Sequence, residues 1–186
     1  MPEQKQSLLK SALLYVAEIV QVVLISLAII VPIRYFLVQP FYVQGASMEP
    51  NFVDKDYLII DEISYRFKDP VRGDIVVFKY PNDPKQIFIK RIVGLPGEKV
   101  KISGGKITVY NGEHTDGLVL DEEQYLSPYV YTSGEKVTTL RGDEYFVLGD
   151  NRNSSLDSRI FGPVGQKLII GRVWFRGWPF DKIKKF

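Results

Sequence analysis

Gln86-Ile87-Phe88-Ile89-Lys90-Arg91-Ile92-Val93-Gly94 is dense in isoleucine, valine and phenylalanine and stops on a glycine just before Pro96-Gly97. Such a stretch reads as a β-strand. Side chains alternate across a strand, so Phe88, Lys90 and Ile92 share one face. A lysine among apolar neighbours on its own face has two fates. At a sheet edge its stem packs and its amine reaches water. In the interior, burial penalises the ammonium and lowers its pKa. A lysine that works as a base near neutral pH needs a fall from about 10.4 to about 7–8, which asks for roughly 3–5 kcal/mol of desolvation.

Similar runs recur on both sides: Tyr57–Ile60, Asp74–Tyr80, Lys99–Ile102, Ile107–Tyr110, Glu144–Leu148 and Leu168–Phe175. Turn residues separate them. Gly73-Asp74, Pro96-Gly97, Gly104-Gly105 and Gly142-Asp143 read as turns, and Asn111-Gly112 after Lys106–Tyr110 as a hairpin signal. The expected fold is mainly β, an antiparallel sheet. Residues 113–140, with Asp116, Asp121, Glu122 and Glu123 followed by Ser127, Pro128, Ser133 and Gly134, read as a surface excursion whose charges are solvated.

Ahead of the strands lies one different segment. Between Ser11 and Ile33 the only formal charge is Glu18, and the stretch is long enough to cross a bilayer as a helix. Pro32 stands where such a helix can stop. Glu18 sits close enough to one end to reach headgroups. Lys5, Lys10 and the amino terminus flank one side and Arg34 the other, which places the N-terminus in the cytoplasm by the positive-inside rule. The expected organisation is a cytoplasmic tail over residues 1–11, a membrane helix over 12–34 and an extracytoplasmic β-rich domain over 35–186. A cleaved secretory signal fits less well: the apolar stretch is longer than an ordinary signal core, and the small-residue site at Val43-Gln44-Gly45 lies far beyond it.

Composition narrows the chemistry. The chain has 186 residues, no cysteine and a formal net charge of +2. Thiolate nucleophiles, disulfides and cysteine metal sites are excluded, and so small a charge gives no reason to expect nucleic acid. The one histidine, His114, lies in a turn-like Asn-Gly-Glu-His-Thr-Asp-Gly stretch. It supplies neither a zinc site, which needs three or four ligands, nor a convincing member of a Ser-His-Asp triad. No metal and no cofactor are expected.

Two polar clusters remain. Ser47 lies in Gln44-Gly45-Ala46-Ser47-Met48-Glu49-Pro50, an irregular turn in which Gly45 permits a positive φ. A serine needs an adjacent base to attack a carbonyl, and with His114 badly placed a lysine is the remaining base. The other cluster runs from Gly149-Asp150-Asn151-Arg152 through Ser155 to Asp157-Ser158-Arg159, directly after an apolar strand. Polar loops at strand ends often hold sites; they also hold themselves together by their own hydrogen bonds.

Taken in order, these blocks resemble those of the bacterial type I signal peptidases, the serine proteases of the peptidase S26 family. An apolar N-terminal helix is followed by Gly45-Ala46-Ser47-Met48-Glu49-Pro50, Arg72-Gly73-Asp74-Ile75-Val76, Lys90-Arg91-Ile92-Val93-Gly94-Leu95-Pro96-Gly97-Glu98, and the Gly149 to Arg159 cluster. The resemblance covers nearly the whole chain and is nearest to the short, Gram-positive-like form.

It implies that Ser47 is the acylated nucleophile and Lys90 the general base. Ser155 falls where the family has a hydroxyl that orients the lysine amine. Asp150, Asp157 and Arg159 match supporting positions, as do Arg91, Gly45 and Met48. The Ser47 backbone N–H would serve the oxyanion. Some Gram-negative members carry a serine where this chain has Gly45, which leaves the second oxyanion donor unassigned.

The implied partners are the signal peptides of secreted preproteins, cut after small residues at the first and third positions before the bond. A lipid bilayer and proximity to the secretion translocon are also implied; no nucleic acid is. Ser47 lies about 13 residues past Arg34, a reach of about 45 Å at full extension. Phe36, Leu37, Phe41 and Tyr42 could rest in the membrane interface. Trp174-Phe175-Arg176-Gly177-Trp178-Pro179-Phe180 could do the same or pack in the core. The competing reading is an inactive membrane-tethered relative that only binds peptides. A self-cleaving Ser-Lys regulator would be expected to carry a DNA-binding segment, and a Ser-x-x-Lys enzyme is excluded by Pro50.

Overall fold

The computed structural model describes residues 2–36 and 39–186, with side chains over 13–31 and 40–186. It divides into two compact units, residues 1–38 and 39–186.

The first unit is one helix, α1 (Pro2–Phe36). Its apolar span, Leu13–Val31, is 19 residues long and nowhere buried by the protein. At 1.5 Å per residue that is about 28 Å, the thickness of a bilayer's hydrocarbon core. The helix exceeds the expected 12–34 at both ends and continues past Pro32 to Phe36. A proline removes one hydrogen bond but need not end a helix whose other bonds persist. The flanking charges Lys5, Lys10 and Arg34, and Phe36 and Leu37 of the expected interface group, lie outside the described side chains or residues.

The second unit is mainly antiparallel β. Its strands are β1 (Gln39–Tyr42), β2 (Tyr57–Asp61), β3 (Ile75–Tyr80), β4 (Asp83–Gly94), β5 (Lys99–Ser103), β6 (Lys106–Tyr110), β7 (Leu118–Val119), β8 (Lys136–Thr139) and β9 (Glu144–Leu148). A one-turn helix, α2 (Ser158–Phe161), follows, then β10 (Val164–Gly165), β11 (Ile169–Trp178) and β12 (Lys184–Lys185). The larger sheet has the order β1-β2-β11-β3-β4-β9-β10, with β12 beside β11; a four-stranded sheet has the order β7-β6-β5-β8.

The alternation of the sequence decides what each strand buries. In β2, Leu58 and Ile60 point into a core shared with Val43, Met48, Phe52, Ile75, Val77 and Val173. In β4, Ile92 joins Val76, Phe78, Tyr145 and Val147. Val93, on the opposite face, packs with Val100, Ile102 and Phe146 beneath the small sheet. Both faces of β4 are therefore covered from Lys90 onward, as its run of Ile, Val and Gly implies.

Several expectations need correction. The two-residue hairpin is at Gly104-Gly105, where φ is 57° and 79° and Ser103 pairs with Lys106. Those angles suit glycine. Asn111-Gly112 instead opens a longer loop in which Asn111 Oδ1 accepts from the N–H groups of Glu113 and His114.

The excursion is not wholly irregular, because β7 and β8 lie within it and form both edges of the small sheet. Nor are its charges all solvated. Glu122 forms a two-pronged pair with Arg152, whose side chain is fully buried. Phe41 packs against the core instead of lying free for the membrane. Core packing fails as an account of Trp174, Trp178 and Phe180, which are 42%, 51% and 71% exposed.

Candidate active site

The turn after β1 carries Ser47, and four features hold it. Gly45 takes φ = 86°, a left-handed conformation with no Cβ to resist it, and its N–H donates to Asp54 Oδ1 at 2.9 Å. Met48 and Phe52 are fully buried and anchor the turn in the core. Phe52 N–H closes the turn on the Met48 carbonyl at 2.9 Å. The Gly149 cluster grips it from outside: Asn151 N–H donates to the Ser47 carbonyl at 3.1 Å, and Asn151 Nδ2 donates to the Ala46 carbonyl at 3.0 Å. The Ser47 N–H donates to no group among the described residues, which leaves it available to an incoming oxygen.

Lys90 comes to this turn from β4. Its Nζ donates to Ser47 Oγ at 2.8 Å and to the Ile89 carbonyl at 2.8 Å. The stem lies on the face shared with Phe88, whose ring centroid is 5.4 Å from Nζ. Lys90 is only 4% exposed, so the edge-lysine alternative does not hold. Burial pulls its pKa down from 10.5 to about 8, against the opposing charges of Asp157 and Asp150. The amine is thus half neutral just above physiological pH and aimed at a hydroxyl.

The supporting residues are ion pairs and caps. Arg91, next to the lysine but on the other face, makes two parallel bonds to Asp150, Nε to Oδ1 at 2.8 Å and Nη2 to Oδ2 at 2.7 Å. Asp157 caps α2 through the Arg159 N–H. It also pairs with the Arg159 guanidinium at 2.9 and 2.8 Å and accepts from Gly149 N–H at 3.2 Å. Asp150 is buried with Arg91, and Asp157 is buried beneath a partly covered Arg159, so each carboxylate is committed to holding the loop.

Ser155 stands differently from expectation. Its Oγ is buried and has no hydrogen-bond partner among the described residues, and the bond to the lysine amine is not made. The hydroxyl lies against Gly149, which also meets the Ser47 carbonyl.

Sequence reasoning gave no role to Gly149, Asn151, Asn51 or Arg176. Arg176 Nη1 donates to the Asn51 carbonyl at 2.8 Å and to Asp56 at 3.0 Å. An asparagine directly after a proline already has a bland explanation as a turn residue, so no local signal separates it from the rest. His114 is exposed and lies in its loop, away from the Ser47–Lys90 pair.

Ser47 and Lys90 open into a cleft of about 590 Å³ whose walls include Phe41, Leu58, Val77, Ile87 and Leu156. Two strand edges border it. β1 is the outermost strand of its sheet. β9 covers β4 only from Arg91 onward, which leaves the stretch Ile87–Lys90 unpaired on that side among the described residues. A cleft between open edges, with a serine and a lysine of lowered pKa at its floor, can take an extended peptide and attack one of its carbonyls.

The sequence model of a family described as "Signal peptidase, peptidase S26" matches residues 16–178. A protein of Synechocystis sp. named "Probable signal peptidase I-2" is 41% identical over 157 residues, 81% of this chain and 68% of that one. The signal peptidase I of Leptolyngbya laminosa is 40% identical over 167 residues, 86% of this chain and 78% of that one. The signal peptidase IB of Staphylococcus aureus is 30% identical over 171 residues, 86% of this chain and 88% of that one.

Proposed function

The chain belongs to the signal peptidase family, peptidase S26, and we propose that it is a membrane-anchored signal peptidase I that cuts N-terminal signal peptides from exported preproteins through a Ser47 nucleophile and a Lys90 general base. The observation that carries this reading is the 2.8 Å bond between Lys90 Nζ and Ser47 Oγ, made by a lysine that is 4% exposed.

The steps follow from that pair. Substrate lies extended in the cleft, adding its backbone to an open strand edge. Neutral Lys90 takes the Ser47 proton as Oγ bonds to the carbonyl carbon. The negative oxygen of the tetrahedral intermediate meets the free Ser47 N–H. Collapse breaks the peptide bond, and the Lys90 ammonium returns its proton to the leaving amine. The acyl group stays on Oγ until water, deprotonated by the same lysine, attacks it and frees the serine.

Residues 12–34 span the bilayer with the N-terminus in the cytoplasm, and residues 35–186 work outside. The exposed Trp174 and Trp178 suit the membrane interface, where an indole buries its ring and keeps its N–H wet, and the exposed Phe180 adds apolar surface beside them. On this reading the substrates are signal peptides as they leave the bilayer, close to the translocon.

The test uses the purified full-length protein in detergent with a preprotein bearing an Ala-x-Ala site, beside a Ser47→Ala variant. Mass spectrometry of the product N-terminus reads the cut. Cleavage after the small residue by the wild type alone is expected. No cleavage by either folded protein would make this a peptide-binding relative without activity, and equal cleavage by both would remove Ser47 from the reaction.

The pH profile is a second prediction. Only neutral Lys90 is a base, so kcat/KM should rise about tenfold per pH unit below its pKa and level off above about 8. An activity independent of pH from 6 to 9 would be incompatible with a lysine base.

A further inference from the structure

Asn51 stands at the end of the Ser47 turn, directly after Pro50. Its carboxamide reaches out of the turn in two directions. One N–H donates to Asp150 Oδ2 at 2.8 Å and the other to the Tyr125 carbonyl at 2.7 Å, while its own backbone carbonyl accepts from Arg176 at 2.8 Å. Asp150 in turn holds Arg91, the neighbour of Lys90 on β4, by its two parallel bonds. The serine's turn, the excursion and the lysine's strand thus meet at one amide group. We infer that Asn51 is a positioning residue, which keeps the Ser47 hydroxyl in register with the Lys90 amine through Asp150. The inference rests on the Ser47–Lys90 reading above.

The residue type is informative. Asp150 has a side chain with no exposure, and it needs a donor that brings no second charge into that space. A carboxamide supplies two N–H groups and stays neutral. Threonine or serine offers one donor, lysine adds a charge, and aspartate sets a carboxylate against a carboxylate. The remaining ties, from Asn151 to Ala46 and Ser47, grip the opposite end of the turn. Asn51 fixes the second end, and two ends are needed to set the direction of a hydroxyl as well as its place.

Loosening that end has a readable consequence. Ser47 Oγ takes a bond from Lys90 in a site where the lysine is almost wholly covered. If the turn drifts, water reaches the amine, the ammonium is better solvated and its pKa rises toward the ordinary lysine value. Misplacing a reacting group by about 1 Å also costs up to about a hundredfold in rate.

The experiment measures preprotein cleavage from pH 6 to 10.5 by the wild type, Asn51→Ala and Asn51→Asp, with a thermal melt of each. Asn51→Asp matches the shape but loses both donors and sets a carboxylate against Asp150; Asn51→Ser, which keeps one donor and adds no charge, serves if neither of these folds and should show a smaller change in the same direction. Both variants are expected to lose about tenfold or more in kcat and to shift the acid limb of the profile upward by at least about half a unit. The aspartate should shift it further, because an added anion favours the ammonium. Because burial of Lys90 makes stability itself depend on pH between 8 and 10.5, each rate is divided by the folded fraction read at that pH, so that a limb moved by instability alone is removed. An unmoved limb in the folded variants, or activity within about twofold of wild type, would overturn the positioning role. If instead the wild type is inactive, or Ser47→Ala cleaves equally well, the Ser47–Lys90 reading itself fails and this inference falls with it.

Discussion

Lys90→Arg is expected to be at least about a thousandfold slower than wild type while still folded, since a positioned base and its nucleophile act as one unit. Arginine keeps the charge and much of the bulk, but its guanidinium does not give up a proton in a protein. It can therefore donate to Ser47 Oγ and never accept from it. Retention of more than about a tenth of wild-type activity would end the general-base assignment. Lys90→Met separates chemistry from folding: it should be equally inactive and more stable. The folded chain holds the Lys90 proton less tightly than the unfolded chain, with a pKa of about 8 against 10.5. Below pH 8 the burial penalty is complete, it shrinks between 8 and 10.5, and above that it is gone. Removing the amine should recover up to roughly 3 kcal/mol at pH 7, less about 1 kcal/mol for the lost bond to Ser47. Denaturant unfolding at pH 7 and at pH 10.5 reads the difference, and a methionine variant no more stable than wild type at pH 7 would mean that the lysine is not strained by its burial.

Some of this architecture can be read from residue order because the physics is local. A bilayer demands about 20 apolar residues in a row, and Leu13–Val31 answers with only Glu18 charged. A half-buried strand demands alternation, and β5 and β6 show it in residue order; β9, apolar from Tyr145 onward, is buried on both faces. What stays hidden is long-range. β1 contains Pro40 and four residues in all, so nothing local marks it as a strand; its pairing with β2 makes it one. β8 lies in a polar stretch and is a strand because β5 offers it an edge. Among the site residues, Ser47 and Lys90 stood out through the resemblance of their flanking blocks. Their approach to 2.8 Å depends on where β4 and the turn after β1 fall in space. Glu122 looked like a surface charge because no sequence pattern shows that Arg152, 30 positions later, is buried beneath it.

Gly149→Ala should cost about a hundredfold in turnover through a single added methyl. Gly149 directly follows β9 where the polar cluster begins, in a backbone conformation open to any residue, so the demand for glycine comes from space and not from φ. A Cβ there would overlap Ser155 Oγ and lie 2.5 Å from Ser155 Cβ and 2.5 Å from the Ser47 carbonyl oxygen. A serine hydroxyl can rotate away. The Ser47 carbonyl cannot, because it is backbone and accepts the Asn151 N–H at 3.1 Å. The nucleophile's own peptide unit must therefore retreat, breaking that bond and carrying Oγ away from Lys90. Overpacking of this kind also costs about 1–3 kcal/mol of stability. The two effects are separable in one double variant. Gly149→Ala with Ser155→Gly clears the serine but leaves the carbonyl clash, so activity should stay low while part of the stability returns. Recovery of full activity in the double variant would show that the methyl acts on Ser155, and that close approach of the Ser47 backbone is not what reserves position 149 for glycine.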